Sequence, residues 1–82
     1  MAVGKSILRP LSMNFVIVIE KADDGSYSAY APDLPGCVAC SDSGDEIETS
    51  IREAVRLHIE SLRTHGDPVP RPSTTTIVVH AD

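Results

Sequence analysis

The sequence predicts an α+β domain with the order β-β-β-α-β, in which a three-stranded antiparallel meander is followed by one helix and a final strand. Three observations support this prediction. The sequence has strand-like runs separated by turn residues, a single amphipathic stretch with both helix-end signals, and a β-branched run near residue 80. The chain has 82 residues, of which 41% are hydrophobic and 23% charged, as expected for one globular domain. We expect residues 1–12 to form an N-terminal extension and residues 13–82 the single domain.

The first half of the domain has the pattern of a meander. Residues 13–20 are rich in branched apolar side chains and predict the first strand, and residues 21–26 carry the turn chemistry of a hairpin. Residues 27–31 then form the returning strand. A connection over residues 32–36 contains two prolines that fix φ and a glycine that permits a tight bend, and a third short strand follows at residues 37–40.

The helix has the strongest signals in the sequence. Ser43 and Glu46 have the spacing of a capping box, and Gly66 is a natural stop before a proline-rich segment. The apolar stripe between them comprises Ile47, Ile51, Ala54, Val55, Ile59 and Leu62. These features predict a helix of about five to six turns. Residues 74–80 then predict the final strand.

The two cysteines, Cys37 and Cys40, form an isolated CxxC pattern, which is a weak signal for metal or redox chemistry. Because successive side chains of a strand alternate between faces, we expect the two thiols to point to opposite sides of the sheet. They are then poorly placed to share a metal ion or a disulfide. The sequence therefore predicts no metal site and no cofactor.

One helix can cover only one face of a sheet, yet the first and last strands carry apolar residues on both faces. We therefore expect the second face to be buried in a homo-oligomer, a dimer or a tetramer, with Val16, Val18 and Val78 at the interface. The alternative is that residues 1–12 fold back over this face.

The composition also restricts the partners. The formal net charge of −5 disfavours direct binding to nucleic acid and suits a basic protein partner. The sequence contains neither an apolar run of membrane-spanning length nor a signal-peptide pattern, which predicts a cytoplasmic protein.

The sequence offers no catalytic arrangement, such as a nucleophile elbow or a phosphate-binding glycine loop, so we expect no enzyme. His58 and His65 lie two helical turns apart and are better explained as a half-buried residue and a partner of the helix end. One alternative stays open. Asp33, Asp42, Asp45 and Glu46 would gather at one end of the sheet and hold magnesium, as in a minimal metal-dependent nuclease.

The stretch from Ala29 to Cys37 reads A-x-x-P-D-L-P-G-C, and an acidic helix start and a Glu53-Ala54 pair follow it. This pattern resembles the HicB family of antitoxins and the small HicB-like proteins, over roughly residues 13–80. The resemblance implies a partial ribonuclease H-like fold, oligomerisation, and neutralisation of HicA, a small basic toxin that cleaves messenger RNA. Many members of the family carry a C-terminal DNA-binding segment, whereas this sequence stops at Asp82, so we expect no autorepression by this chain alone.

The sequence and the resemblance together predict an antitoxin-like protein that occludes a small basic HicA-like toxin. The predicted partner-binding residues are Asp33, Leu34 and Pro35 in the rigid loop, with Asp42, Asp45 and Glu46 at the helix start. An orphan oligomerising scaffold that has lost its toxin is the alternative from a different functional class.

Overall fold

The computed structural model describes residues 13–82, and the predicted extension over residues 1–12 lies outside them. The elements are β1 (Val18–Lys21), β2 (Tyr27–Tyr30), β3 (Val38–Ser41) and α1 (Gly44–Thr64). The strands form one antiparallel sheet in the order β1-β2-β3. The predicted three-stranded meander followed by one helix is therefore confirmed.

A tight turn joins β1 to β2. Ala22 donates its N–H to the carbonyl of Ser26 at 2.8 Å, and Gly25 takes a φ of +91°, which glycine adopts without a steric penalty. The carboxylate of Asp24 accepts hydrogen bonds from the hydroxyl and the N–H of Ser26, and these bonds lower the pKa of Asp24. Backbone and side chain thus close the same turn.

The sequence predicted a first strand that begins at Met13. In the structure the hydrogen-bonded ladder of β1 begins at Val18. Val18 pairs with Tyr30, the last residue of β2, and the chain turns away immediately afterwards. Within the described residues 13–82, residues 13–17 consequently have no opposing strand, although Phe15 and Ile17 still pack against the core.

The connection from β2 to β3 consists of two successive turns. The N–H of Leu34 donates to the carbonyl of Ala31, and the N–H of Cys37 to that of Leu34, both at 3.0 Å. A further bond of 3.2 Å, from the N–H of Ala31 to the carbonyl of Cys37, closes the base of the loop. Gly36 has a φ of +86°, and the side chain of Leu34 is completely buried. The loop is therefore held both by its backbone and by the core.

Helix α1 begins and ends where its local signals predict. The hydroxyl of Ser43 accepts a hydrogen bond from the N–H of Glu46 at 3.1 Å, as an N-cap residue does. At the other end, the N–H groups of Gly66 and Asp67 donate to the carbonyls of Arg63 and Leu62, which is the Schellman pattern. The resulting 21-residue helix has the predicted length of five to six turns.

The core lies between α1 and the sheet, and β3 and β2 supply most of the contacts with the helix. Its buried members are Ala29, Ala31, Leu34, Cys37, Ile47 and Ile51. Cys37 is buried whereas Cys40 is exposed, so the two free thiols face opposite sides as predicted, and burial raises the pKa of Cys37. Among the described residues, no helix is long and apolar enough to cross a membrane.

The predicted final strand is absent from the sheet, which is a correction. Residues 74–80 pair with none of the three strands, and the exposed fractions of Ile77, Val78 and Val79 are 83%, 99% and 73%. β-branched residues favour an extended backbone, but a strand also needs hydrogen bonds to a paired strand, and residues 74–80 make none with β1, β2 or β3. Asp33, in the β2–β3 loop, binds Ser73 and Thr74 at the start of this segment. The residues after Thr74 are exposed and do not join the sheet.

Candidate functional site

Three exposed carboxylates lie where β3 passes into α1. Asp42, Asp45 and Glu46 line an open cavity of about 660 Å³. The other lining residues are Cys40, Ser41, Thr49 and Ser50. We refer to Asp42, Asp45 and Glu46 together as the acidic end.

Ser41, the last residue of β3, orients the acidic end. Its hydroxyl donates to Oε1 of Glu46 at 3.1 Å and accepts from the N–H of Ser43 at 3.3 Å. In a capping box the Glu side chain would bond directly to the N–H of the N-cap residue. Here the hydroxyl of Ser41 lies between these two groups, which fixes the carboxylate of Glu46 beside the first turn of α1.

The helix itself favours negative charge at this place. The free N–H groups of a first turn carry partial positive charge, and they stabilise Asp45 and Glu46. The salt bridges between residues 13 and 82 involve other acidic residues, such as Glu48 with Arg52 and Glu53 with Arg56. Over the described part of the chain, the acidic end therefore has no cationic side chain bound to it.

The sheet register brings further negative charge to the same side of the molecule. Tyr27 pairs with Ser41, so the β1–β2 turn, with Asp23 and Asp24, lies at the sheet end where β3 enters α1. These two residues are not among the contact residues predicted from the sequence. The meander pattern contained the signal, because in a meander the first turn and the end of the third strand lie at the same sheet end.

The other predicted contact residues lie at the opposite end of the sheet. Leu34 is buried in the core, whereas Pro35 is exposed. His58, whose ring lies beside Gly36, is about 20 Å along the helix axis from Asp45. The expectation that Asp33 gathers with Asp42, Asp45 and Glu46 is therefore wrong, because β3 separates the two groups. Between residues 13 and 82, no group of three or more His, Cys, Asp or Glu is placed to hold a metal ion.

Asp33 has a role within the chain that its sequence position did not reveal. Its Oδ2 accepts the N–H groups of Ser73 and Thr74 at 2.9 and 3.0 Å, and its Oδ1 accepts their hydroxyls at 3.0 and 2.9 Å. The two N–H groups contribute most to lowering the pKa of Asp33. We call these four hydrogen bonds the Asp33 clamp.

An apolar groove runs between the segment before β1 and the second half of α1. Met13, Phe15, Val55 and Ile59 form the apolar part of this cavity of about 410 Å³. The remaining lining residues are polar: Arg56, Glu60, Arg63 and Thr64. Val16 and Val18, predicted at an oligomer interface, are half-buried on the strand side away from the helix. Val78, the third predicted member, is almost fully exposed and packs against neither of them.

Comparison with known proteins agrees with this fold. The family model described as the HicB_like antitoxin of bacterial toxin-antitoxin systems matches residues 15–82. A UPF0150 protein of Thermoplasma acidophilum is 39% identical over 69 residues, which are 84% of this chain and 100% of that protein. A UPF0150 protein of Archaeoglobus fulgidus is 46% identical over 55 residues, covering 67% of this chain and 80% of the relative.

Two solved structures share the arrangement of strands and helix. The N-terminal domain of the Burkholderia pseudomallei antitoxin HicB superposes with a TM-score of 0.66 at 31% identity, over 74% of this chain and 72% of that one. A chain from a HicA3 and HicB3 toxin-antitoxin complex gives a TM-score of 0.63 at 33% identity, over 74% and 70% of the two chains. Since the family match extends over most of the sequence and the fold agrees with it, this chain belongs to the HicB-like antitoxin family.

Proposed function

We propose that this protein is an antitoxin that captures a small basic HicA-like toxin and occludes its active site. The acidic end carries this proposal, because three exposed carboxylates without a cationic partner in residues 13–82 line one open cavity. The similarity to a chain from a toxin-antitoxin complex supports the choice of partner. The protein acts in the cytoplasm by binding and not by catalysis, and it needs no cofactor.

Binding at the acidic end combines charge with a prepared shape. Ser41 and Ser43 hold the first turn of α1 before any partner arrives, so little conformational entropy is lost on binding. Complementary charge accelerates the encounter with a basic protein and favours the correct partner over acidic ones.

The β2–β3 loop provides the second proposed contact, at the other end of the sheet. Pro35 offers an exposed, rigid surface, and Leu34 contributes by fixing the loop on the core. Asp33 contributes by holding the loop against Ser73 and Thr74, because the four hydrogen bonds from these residues occupy the acceptor sites of its carboxylate. We expect this contact to depend on loop shape more than on charge.

The test is the affinity for a toxin that copurifies from the native cell extract. A triple variant carrying Asp42→Asn, Asp45→Asn and Glu46→Gln should bind about tenfold or more weakly at low salt, with a smaller loss at high salt, because screening weakens the lost attraction. Isothermal titration at two salt concentrations measures both effects.

The matched control is Asp67→Asn, which removes one negative charge from an exposed site just beyond the other end of α1. This variant should bind almost as tightly as the unchanged protein. Equal affinities of the triple variant and the unchanged protein would remove the acidic end from the binding site. Recovery of only further copies of this chain would favour the orphan scaffold instead.

We also propose that copies of this chain associate through Val16, Val18 and Val78. The support is the apolar surface on both sides of the first predicted strand and the exposure of Val78. A small domain buries a limited fraction of its surface, so a second copy adds stabilising contact area.

A further inference from the structure

The segment after Thr74 has the composition of a strand but lacks a strand's partner. Six consecutive β-branched residues, from Thr74 to Val79, favour an extended backbone. Three of these, Ile77, Val78 and Val79, are apolar and largely exposed. We call residues 74–80 the arm. Isolated extended chain of this kind exposes both apolar side chains and unpaired backbone groups, and pairing with a strand edge covers both.

The root of the arm is held in a defined position. Pro70 and Pro72 restrict the backbone just before it, and the Asp33 clamp fixes Ser73 and Thr74 on the β2–β3 loop. Beyond this point the residues from Thr75 onward are exposed. The body of the protein thus presents the arm outward from a fixed point.

The same chain offers a complementary edge. β1 is at the edge of the sheet, and residues 13–17 extend this edge with no opposing strand in the part of the chain that the structure describes. Phe15 and Ile17 face the core side and Val16 and Val18 face away, as expected for an extended chain. The apolar groove lies beside this edge, between Phe15 and the α1 residues Val55 and Ile59.

We propose that two copies of this chain exchange their arms, each arm adding as an edge strand beside residues 13–18 of the other copy. Ile77 and Val79 then lie over the apolar groove, and Val78 lies on the opposite face with Val16 and Val18. This register places Ile77 and Val79 beside the apolar part of the groove and Val78 beside two half-buried valines. The inference rests on the proposed association of copies and is independent of toxin binding.

A reciprocal exchange also explains why the assembly would stay small. Both copies contribute the same arm and the same edge, so a two-fold arrangement uses both sites of each copy and leaves none open. Main-chain hydrogen bonds between arm and edge give affinity, and the alternating side chains fix the register. A second copy is therefore the occupant that this edge fits.

The test uses cysteine cross-linking between two different chains. One chain carries Val16→Cys and the other Val78→Cys, and both carry Cys40→Ser to remove the exposed thiol. Refolded together and oxidised, they should form a disulfide-linked pair with one chain of each kind. A second chain with Arg71→Cys in place of Val78→Cys should not cross-link to Val16→Cys. Positions 71 and 78 are seven residues apart, which is about 23 Å in an extended chain.

Light scattering of the unchanged protein separates the two proposals. A mass of two chains together with the mixed cross-link supports arm exchange. A mass of two chains with no mixed cross-link overturns exchange and leaves association through another surface. A mass of one chain overturns both. A third chain that carries Val16→Cys and Val78→Cys together, also with Cys40→Ser, tests closure within one chain: a disulfide inside a single such chain overturns exchange, because the arm then pairs with its own edge.

A pair of proline variants gives a second readout that does not need a disulfide. Proline donates no hydrogen bond, and N–H groups of successive strand residues point in opposite directions. At least one of the two variants, Ile77→Pro and Val78→Pro, should therefore lower the dimer affinity at least tenfold, because one of these two N–H groups faces the partner strand. The circular dichroism of the domain should stay unchanged in both. If both variants remained dimers at the original affinity, the arm would not be paired in the dimer.

Discussion

Leu34 links the shape of an exposed loop to the core of the protein. It is completely buried although its neighbours Pro35 and Gly36 are exposed. The turns before and after it are closed through its own N–H and carbonyl groups. The side chain of Leu34 therefore determines how the proposed loop contact is presented.

Replacing Leu34 with alanine should destabilise the protein by about 2–5 kcal/mol, because the substitution removes buried methyl groups and leaves a cavity. Urea unfolding of the variant and of the unchanged protein measures the loss. The matched control is Leu57→Ala on α1, where the side chain is 47% exposed and the expected change is within about 0.5 kcal/mol. Similar losses in the two variants would mean that Leu34 is not a core residue.

Asp33 makes the attachment of the arm dependent on pH. Its pKa is lowered in the folded protein, mainly by the N–H groups of Ser73 and Thr74, whereas an unfolded chain has the ordinary value of about 4. The stabilising effect of the clamp is therefore fully present above pH 4 and is lost as the pH falls through the lower folded-state pKa. The amide resonances of Ser73 and Thr74 should shift with a midpoint below pH 4.

The control for this titration is Asp33→Asn, which should abolish the shift at Ser73 and Thr74. Asp24 serves as an internal reference, because its pKa is also lowered but its hydrogen bonds go to Ser26 in the β1–β2 turn. A midpoint no lower than the ordinary aspartate value of about 3.9 for Ser73 and Thr74 would contradict the clamp.

At the scale of the element, α1 depends on a cap that belongs to the proposed binding site. The hydroxyl of Ser43 binds the N–H of Glu46, and Ser41 binds the Glu46 side chain. Stability of the helix and orientation of the acidic end are thus determined by the same few hydrogen bonds.

The variant Ser43→Ala should lose about 1 kcal/mol of unfolding free energy, because one N–H group of the first turn loses its acceptor. The control is Ser61→Ala near the other end of the helix, where the side chain is exposed and alanine is the better helix former. Thermal unfolding followed by circular dichroism compares the two variants. An equal effect of both substitutions would show that the cap contributes nothing specific.

The helix and the final strand differ in how well the sequence predicts them. The ends of α1 were predicted well because Ser43 and Gly66 act on backbone groups a few residues away. The final strand was not, since residues 74–80 have strand composition and yet pair with none of the three strands. Composition determines whether a segment is extended, whereas pairing depends on contacts distant in sequence.

In the whole molecule, the predicted partner-binding residues lie at two opposite ends of one sheet. Asp42, Asp45 and Glu46 were predicted together and lie together, because they are neighbours in sequence around one helix start. Asp33 was grouped with them because the connection after the second strand and the helix start were expected at one end of the sheet, but β3 places it at the other end. Asp23 and Asp24 join the acidic side through the register of β2 with β3, which residue spacing does not reveal.

The Asp33 clamp has a consequence for the order in which the protein folds and opens. It joins residues 40 and 41 positions apart in sequence, a span that is slow to close in an unstructured chain. Once α1 has formed, however, its second half lies beside Gly36, and only residues 65–72 remain to be ordered. We therefore expect the clamp to form after the helix and, because its four bonds are exposed or only part-buried, to open by local fluctuation without global unfolding. The amide hydrogens of Ser73 and Thr74 should accordingly exchange with solvent through local opening. Those on the buried face of the helix should exchange only when the helix unfolds.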